Sequence, residues 1–244
     1  MKKVWYTILQ NRSIAAEIYE MVLAGDTTAI TAPGQFLNIQ LDGFYLRRPI
    51  SICDWDETTV TIIYKVVGNG TAAMAAMQPG QKLDVLVGLG NGFDQGLSGD
   101  RPLLIGGGVG VPPMYGLAKR LVAEGKQPTA VLGFNCAADV FYQKQFEALG
   151  VQTLVTTADG SFGIRGFVTD AMQNCTENSF FYTCGPEPML RAVAAATALD
   201  GQLSFEARMG CGFGACMGCS CETKYGTKRI CKEGPVLRKG EVIW

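Results

Sequence analysis

Five cysteines lie within twenty-one residues near the carboxyl end of the chain, in the stretch CGFGACMGCSCETKYGTKRIC that runs from 211 to 231. From Cys211 the spacing is C-x4-C-x2-C, followed by Cys221 and Cys231. A C-x4-C-x2-C run with a distant fourth cysteine is the ligand pattern of plant-type [2Fe–2S] clusters. The stretch therefore predicts a site for one-electron chemistry that is held by sulfur.

The spacing also predicts which thiolates bind the cluster. We expect the tight loop to supply three of them from one side and Cys231 to supply the fourth, because eleven residues separate Cys231 from Cys219. Cys221 follows Cys219 too closely to reach the far side, and we interpret it as a spare thiol packed nearby. The predicted ligands are Cys211, Cys216, Cys219 and Cys231.

A structural zinc ribbon is the alternative interpretation of the same cysteines. Zinc sites usually use two C-x2-4-C pairs that are separated by a longer stretch. Here three cysteines crowd one loop and the four-residue gap comes first, which favours the cluster. Three scattered cysteines, Cys53, Cys136 and Cys175, are expected to be small buried hydrophobes.

The chain has no histidine among its 244 residues, and this excludes several classes of chemistry. It cannot build a Ser-His-Asp or Cys-His nucleophile, a Cys₂His₂ zinc finger or a Rieske centre. We find no convincing general base, and we assign no catalytic residue.

Charge and hydropathy limit the partners and the compartment. The net charge of −1, without a Lys/Arg block, makes nucleic acid and anionic membranes unexpected partners. The first residues, MKKVWYTILQNRS, contain no apolar run long enough for a signal peptide, and no later stretch is long enough to span a bilayer. We expect a cytoplasmic protein.

The elements that must position the cysteines fall into three predicted modules. Residues 1–99 contain short β-branched or aromatic runs (KVWYTILQN, IAAEIYEMVL, GQFLNIQL, RPISIC, TVTIIYKVV, QKLDVLVGL), which predict a small β barrel with one short helix, TAAMAAMQPG, that stops at Pro79-Gly80. In residues 100–205 strands alternate with helices, which predicts an α/β domain with a parallel sheet. Residues 206–244 form the cysteine-rich module.

Two glycine- and proline-rich turns follow predicted strands of the α/β domain. The stretch RPLLIGGGVGVPPM leads through Gly106–Gly110 into a helix that begins with two prolines, and YTCGPEPM repeats this arrangement at Cys184–Pro188. The third glycine of G-x-G-x-x-G is absent, so the standard Rossmann fingerprint is not met. The position at strand ends still favours nucleotide binding, although each turn alone is compatible with a plain strand-to-helix connection.

The barrel region carries two weaker signals. RRPISIC joins a polar loop to an apolar strand, and YKVVGNGT leads through a glycine turn into a helix that begins near Thr71. The amino end of a helix attracts anions because its N–H groups are free. By themselves, Arg48 could be a surface charge and GNGT an ordinary turn.

Taken together, these motifs resemble the ferredoxin–NADP reductase superfamily over about the first 205 residues. RRPISI resembles its Arg-x-x-Ser/Thr flavin motif, GNGT its pyrophosphate-binding turn, and CGPEPM its C-G-P-x-x-M motif beside the nicotinamide. With the tail FEARMGCGFGACMGCSC…RICKEGPV, nearly the whole chain resembles one branch. That branch is the PyrK family, the electron-transfer subunits of the two-subunit, NAD-linked (class 1B) dihydroorotate dehydrogenases of pyrimidine biosynthesis.

The resemblance implies three cofactors, FAD, a [2Fe–2S] cluster and NAD. It places Arg48 on the FAD pyrophosphate, Ser51 near the isoalloxazine edge, and Gly70 with Thr71 around the phosphates. The residues that it assigns to FAD are Arg48, Pro49, Ile50, Ser51, Ile63, Tyr64, Lys65, Gly70 and Thr71. Those that it assigns to the nicotinamide nucleotide are Gly106, Gly107, Gly108, Gly110, Cys184, Gly185, Pro186, Glu187 and Pro188.

The loop after TAVLGF bears on the choice of nucleotide. It reads NCAADVFYQ, with an acidic Asp139 and no Arg or Lys that could pair with a 2′-phosphate. An acidic residue near the ribose favours NAD over NADP.

The resemblance also implies a partner subunit that carries FMN and oxidises dihydroorotate to orotate, in a complex of two copies of each chain with the cysteine loop near the partner. Nicotinamide exchanges two electrons and the cluster one, and a flavin bridges the two. Three alternatives stay open. They are a reductase subunit for a ferredoxin, polysulfide or hydrogenase partner, a soluble reductase that feeds an oxygenase, and a non-enzymatic, zinc-stapled nucleotide-binding module.

Overall fold

A closed six-stranded antiparallel barrel forms the amino-terminal part of the protein, whose computed structural model describes all 244 residues. The strands follow one another around the barrel in the order β1-β2-β5-β4-β3-β6. They are β1 (Lys2–Ala15), β2 (Ile18–Ala24), β3 (Phe36–Ile39), β4 (Arg48–Trp55), β5 (Thr59–Lys65) and β6 (Lys82–Leu89). The predicted barrel is confirmed.

Alternate residues of each strand fill the barrel, as the two-residue period of a strand requires. Tyr6 and Ile8 of β1 and Leu37 and Ile39 of β3 are all buried in one hydrophobic cluster. Between β5 and β6 the short helix α1 (Asn69–Ala75) is fixed to β1, because the Asn11 side chain donates to the carbonyl oxygens of Met74 and Met77 at 2.9 Å each.

A seven-stranded sheet with the order β10-β9-β8-β7-β11-β12-β15 forms the second part. Its first six strands are parallel neighbours, and β15 is antiparallel to β12. The strands are β7 (Pro102–Gly107), β8 (Thr129–Phe134), β9 (Gln152–Thr157), β10 (Ile164–Arg165), β11 (Phe180–Cys184), β12 (Gly201–Ser204) and β15 (Val236–Arg238). The helices between them are α2 (Val111–Ala123), α3 (Gln143–Ala148), α4 (Val168–Met172) and α5 (Glu187–Ala196).

Strands β8, β9 and β10 lie on one side of β7, whereas β11 and β12 lie on the other side. The strand order therefore reverses between β7 and β11. Ligands of open α/β sheets bind at such a switch point, outside the carboxyl ends of the strands. Gly106 at the end of β7 is in register with Cys184 at the end of β11. The two predicted nucleotide turns therefore leave the sheet side by side.

The cysteine-rich tail folds back onto both other parts. After a small antiparallel hairpin of β13 (Ser220–Thr223) and β14 (Gly226–Arg229), the chain returns to the sheet through β15. One hydrophobic cluster contains Cys219 and Cys231 of the tail together with Phe36 of the barrel and Leu203 of the sheet. The predicted boundaries after residues 99 and 205 stay a prediction, since the tail completes the sheet of the preceding part.

Several details differ from the expectation. The run IAAEIYEMVL contains the end of β1, a turn at Ala16-Glu17 and β2, and Glu17 is left-handed with φ 56°. Helix α1 ends at Ala75 rather than at Pro79-Gly80. The short strands β10, β12 and β15 were not predicted, because strands of two to four residues carry too little periodicity. The longest helix, α2, has 13 residues, and the fold has no helix with the length and apolarity to cross a membrane.

Candidate functional site

The first two predicted ligands face each other across a tight loop. The backbone N–H groups of Ala215 and Cys216 donate to the Sγ of Cys211 at 3.2 and 3.4 Å, and the Cys211 N–H donates to the Sγ of Cys216 at 3.4 Å. Gly212 and Gly214 are left-handed, with φ 78° and 90°, which glycine adopts without strain. The loop thus turns its N–H groups toward two sulfur atoms.

The other two predicted ligands meet in the interior. Cys219 directly precedes β13 and Cys231 follows β14, so the hairpin brings them together, and the Cys231 N–H donates to the Cys219 Sγ at 3.4 Å. Both side chains are buried. The expectation of three sulfurs from the loop and one from outside stays a prediction, and the hairpin adds that Cys231 approaches Cys219 in a two-plus-two arrangement.

The two cysteine pairs have different electrostatic surroundings. At Cys211, burial opposes ionisation, but hydrogen bonds from the backbone N–H groups of Cys216, Phe213 and Ala215 outweigh it and lower the pKa to about 6. At Cys231, burial and the neighbouring Cys219 raise the pKa to about 12. Cys211 is therefore already disposed toward thiolate, whereas Cys231 needs a cation in place of its proton.

The donor set fits a two-iron cluster better than a single ion. No three Cys, Asp or Glu side chains of the chain converge on one point as a single metal ion requires. Two separate thiol pairs suit a cluster in which each iron takes two thiolates. Cys221 lies in β13 outside both pairs, with its pKa raised by burial, and its exclusion from the ligand set stays a prediction.

Two side chains that the sequence did not single out hold the cysteine loop. Asn38 in β3 donates from Nδ2 to the carbonyl oxygen of Cys211 at 3.0 Å, and Arg229 donates from Nη1 to that of Gly214 at 2.8 Å. Asn38 is 1% exposed, and its Oδ1 has no hydrogen-bond partner in the chain. No local pattern marks these residues, because they act across contacts between distant parts of the chain.

The residues predicted for the flavin pyrophosphate lie together. Arg48, in β4, places its guanidinium against Gly70, where a Cβ atom would overlap it, and over the Phe44 ring at 4.7 Å. The Thr71 hydroxyl accepts from the N–H groups of Val67 and Gly68 at 2.9 and 3.2 Å, so it shapes the turn. The N–H groups of Asn69, Gly70 and Thr71 have no acceptor in the chain and, with Arg48, fit a phosphate group.

The remaining flavin predictions are only partly brought together. Pro49, Ile50 and Ser51 are half-buried along β4, next to Arg48. Ile63 and Tyr64 are buried, and the Tyr64 hydroxyl donates to Asn11 inside the barrel at 2.9 Å. Contact of Ile63 or Tyr64 with a flavin would therefore use the backbone.

The nucleotide predictions surround a cavity of ≈ 470 Å³ at the switch point. Its wall includes Gly107, Gly108, Pro186 and Pro188 from the two turns, Asp139 from the loop after β8, and Ile18 and Lys65 from the barrel. A Cβ atom at position 107 would overlap the Sδ of Met189, so a larger residue there would displace the flexible end of that side chain. Both parts of the protein therefore contribute to one cavity.

Five predicted residues lie off the wall of this cavity: Gly106, Gly110, Cys184, Gly185 and Glu187. A Cβ atom at Gly110 would overlap the Cys184 carbonyl, so this glycine lets the two turns pack closely. The sequence missed Phe134, Asn135 and Thr156, which do line the cavity. Their position at the carboxyl ends of β8 and β9 is the signal that could have found them.

These features define a class, a flavin- and nicotinamide-nucleotide-dependent reductase with a ferredoxin-type cysteine module. Residues 206–243 match the family model described as the iron-sulfur cluster binding domain of dihydroorotate dehydrogenase B, and residues 104–195 match that of the oxidoreductase NAD-binding domain.

Similar proteins cover the whole chain. The dihydroorotate dehydrogenase B (NAD(+)) electron transfer subunit of Geobacillus sp. (strain WCH70) is 43% identical over an alignment of 258 positions, which covers 100% of this chain and 99% of the relative. That of Bacillus caldolyticus is 45% identical over 252 residues, with 97% of each chain covered. The chain belongs to this family of electron transfer subunits.

A solved structure supports the same fold. A chain from the structure of the NADH-dependent reduced ferredoxin-NADP oxidoreductase, a flavin-based electron-bifurcating enzyme, superposes with a TM-score of 0.88 at 28% identity. The match covers 98% of this chain and 90% of that one. The fold class inferred from the sequence is thus confirmed for the barrel, the nucleotide domain and the cysteine module together.

Replacing Cys231 with Ser should abolish the visible absorption of the iron-sulfur cluster while flavin stays bound, because the buried pair loses one thiolate. Anaerobic purification followed by absorption spectra and assay of iron and sulfide measures this. Cys221→Ser is the matched control and should keep the cluster. Loss of the cluster in Cys221→Ser but not in Cys231→Ser would show that the ligand assignment is wrong.

Replacing Asn38 with Leu should loosen the cysteine loop, because a side chain of similar size no longer donates to the Cys211 carbonyl. One lost hydrogen bond is worth about 1 kcal/mol, so we expect cluster loss to a chelator to be roughly fivefold faster. The decay of visible absorption measures the rate. Gln40→Leu is the control, since the Gln40 amide bonds only to Leu41 and Phe44 carbonyls. Equal rates in the two variants would contradict a role for Asn38.

Proposed function

We propose that this chain is the electron-transfer subunit of an NAD-linked dihydroorotate dehydrogenase. It passes electrons, released when a partner subunit oxidises dihydroorotate to orotate, to NAD⁺, with a [2Fe–2S] cluster and FAD as carriers. The full-length relatives named as such subunits support this, as does the cluster-binding match over residues 206–243. The reaction belongs to pyrimidine biosynthesis.

The observation that carries the proposal is the contact between the cysteine loop and β3, the strand next to β4. Strand β4 holds Arg48 to Ser51, which are proposed to bind FAD. Asn38 bonds to Cys211 and is paired with Pro49 of β4 across the barrel sheet. The cysteine pairs and the residues proposed for FAD are therefore separated by one strand. Such proximity is what transfer of single electrons between two carriers requires.

The residues of the chain have distinct parts in this function. Cys211, Cys216, Cys219 and Cys231 would hold the cluster, and Arg48 with the N–H groups of Gly70 and Thr71 would bind the FAD pyrophosphate. When bound, FAD supplies the conversion between single electrons and a hydride, and NAD⁺ accepts the hydride. Gly107 and Gly108 would bring the backbone close to the nucleotide, because no Cβ atom intervenes, and the turn after β11 would contribute Pro186 and Pro188.

The cysteine loop is also the surface that we propose for the partner. Phe213 and Met217, on either side of Cys216 in the chain, are large apolar side chains that are 40% and 53% exposed. An FMN-containing catalytic subunit that docks here would bring its flavin toward the exposed cysteine pair. We propose a complex with two copies of each subunit.

A second candidate is favoured by the structural similarity. The reduced ferredoxin-NADP oxidoreductase chain superposes over 98% of this chain, so a reductase subunit with another partner would use the same fold. The partner that this chain binds in its own cell distinguishes the two, since only the first function requires an FMN subunit with dihydroorotate activity.

The test is to isolate the chain anaerobically from its cell, together with its partner, and to measure dihydroorotate-dependent reduction of NAD⁺. We expect this activity to be lost in Cys231→Ser, whereas NADH oxidation by a dye that accepts electrons from the flavin is retained. A partner that oxidises a different substrate would contradict the proposal, and so would a colourless chain that contains zinc.

Asp139 should favour NAD⁺ over NADP⁺, because its carboxylate lies on the cavity wall and would repel a 2′-phosphate. In Asp139→Ser, we expect the ratio of kcat/KM for NADH over NADPH in the dye assay to fall about tenfold, or 1.4 kcal/mol. Asp100→Ser, at the amino end of β7, is the control and should leave the ratio unchanged. An unchanged ratio in Asp139→Ser would show that Asp139 does not determine the preference for NAD over NADP.

A further inference from the structure

A polar cluster with a buried carboxylate lies outside the three cofactor sites and joins the barrel to the nucleotide domain. We call it the interdomain cluster, and it consists of Arg12, Glu20 and Tyr142. The Tyr142 hydroxyl donates to Glu20 Oε2 at 2.7 Å, and Arg12 donates from Nε and Nη2 to Glu20 Oε1 at 2.9 and 2.7 Å. Each oxygen of Glu20 therefore has a partner from a different part of the protein.

Burial makes this cluster sensitive to the arrangement of the two parts. Glu20 is 7% exposed and Tyr142 is 9% exposed. A buried carboxylate is costly unless its oxygens are hydrogen-bonded, and Glu20 meets this condition only while Tyr142 approaches it from the other part. Burial also raises the pKa of Tyr142, so the phenol keeps the proton that it donates.

Tyr142 has an unusual backbone as well. Its φ is 66°, in the left-handed region that non-glycine residues seldom adopt, and it stands at the amino end of α3. Such a conformation persists where the surroundings determine it. The hydroxyl bond to Glu20 and an edge-on contact with the Tyr115 ring, at 5.0 Å between centroids, supply those constraints.

The segment that Tyr142 terminates is the nucleotide loop, residues 135–142 between β8 and α3. Asn135, Asp139 and Phe141 of this loop line the ≈ 470 Å³ cavity. The middle of the loop is also bound to the barrel, because the Ala16 N–H donates to the Ala138 carbonyl at 3.1 Å. The nucleotide loop is thus fastened to the barrel at two points.

We propose that Glu20 and Tyr142 are positioning residues that hold the nucleotide loop against the barrel and so fix the bound nucleotide relative to the flavin. The inference rests on the proposed function, in which NAD occupies the cavity. Neither residue lines that cavity, so both act through Asn135, Asp139 and Phe141 rather than by touching the nucleotide.

The test uses the full chain with FAD and cluster bound, oxidised so that NAD⁺ binds without reacting. In Tyr142→Phe, which removes only the hydroxyl, NAD⁺ affinity measured by calorimetry should fall about five- to tenfold, as expected for one buried hydrogen bond. Hydrogen exchange of the amides of residues 135–142 should become faster, while FAD content and the visible spectrum stay unchanged.

Tyr6→Phe is the matched control. Tyr6 is buried as well, and its hydroxyl donates to the Asp26 carbonyl at 2.7 Å, on a part of the barrel away from the cavity. This variant should match the unchanged protein in affinity and in exchange of residues 135–142. In a Glu20→Leu background, which leaves the half-exposed Arg12 in water, Tyr142→Phe should have no further effect on either measurement.

The outcomes separate the two proposals. If Tyr142→Phe and Tyr6→Phe both match the unchanged protein in affinity and exchange, the positioning role is overturned. If the unchanged protein does not bind NAD⁺, the proposed function fails. In that case, faster exchange of residues 135–142 in Tyr142→Phe but not in Tyr6→Phe still supports the attachment of the loop to the barrel.

Discussion

The antiparallel pairing of β15 with β12 is the constraint on which the cysteine module depends. Leu203 is paired with Leu237 in this ladder, so both ends of the cysteine-bearing segment are tied to one edge of the sheet. The segment must then fold over the space between sheet and barrel. There Cys219 and Cys231 pack in the hydrophobic core together with Phe36. This packing gives the proposed iron-sulfur site a rigid inner wall.

This placement makes the two cysteine pairs unequal. Cys216 is exposed, whereas Cys219 and Cys231 are buried, so one half of the site faces outward and the other faces the interior. Backbone N–H groups donate to both sulfur atoms of the outer half, and the inner half is surrounded by apolar side chains. A carrier held in this way is open to a partner on one side and is close to the barrel on the other.

The nucleotide cavity also depends on packing between the two parts of the protein, because neither part forms it alone. The sheet supplies glycine turns at its switch point, and the barrel supplies Ile18 and Lys65. The two parts are joined by a hydrophobic cluster that contains Ile18 and Ile63 of the barrel with Leu104 of the sheet, and by the buried polar contact between Glu20 and Tyr142. With FAD and NAD in the proposed sites, the geometry between them would be set by the interface between the parts.

The sequence by itself determined the barrel, the alternating strands and helices, and the cysteines proposed as cluster ligands, because these depend on local periodicity, turn residues and spacing. It also located the turns at Gly106–Gly110 and Cys184–Pro188, which lie at strand ends. Only the tertiary structure decided that Cys219 pairs with Cys231, that Tyr64 points into the barrel, and that Asn38 and Thr156 lie at the sites. It also decided that Glu20 meets Tyr142 between the two parts. These positions arise from contacts between residues far apart in the chain, and such contacts leave no periodic signal in the sequence.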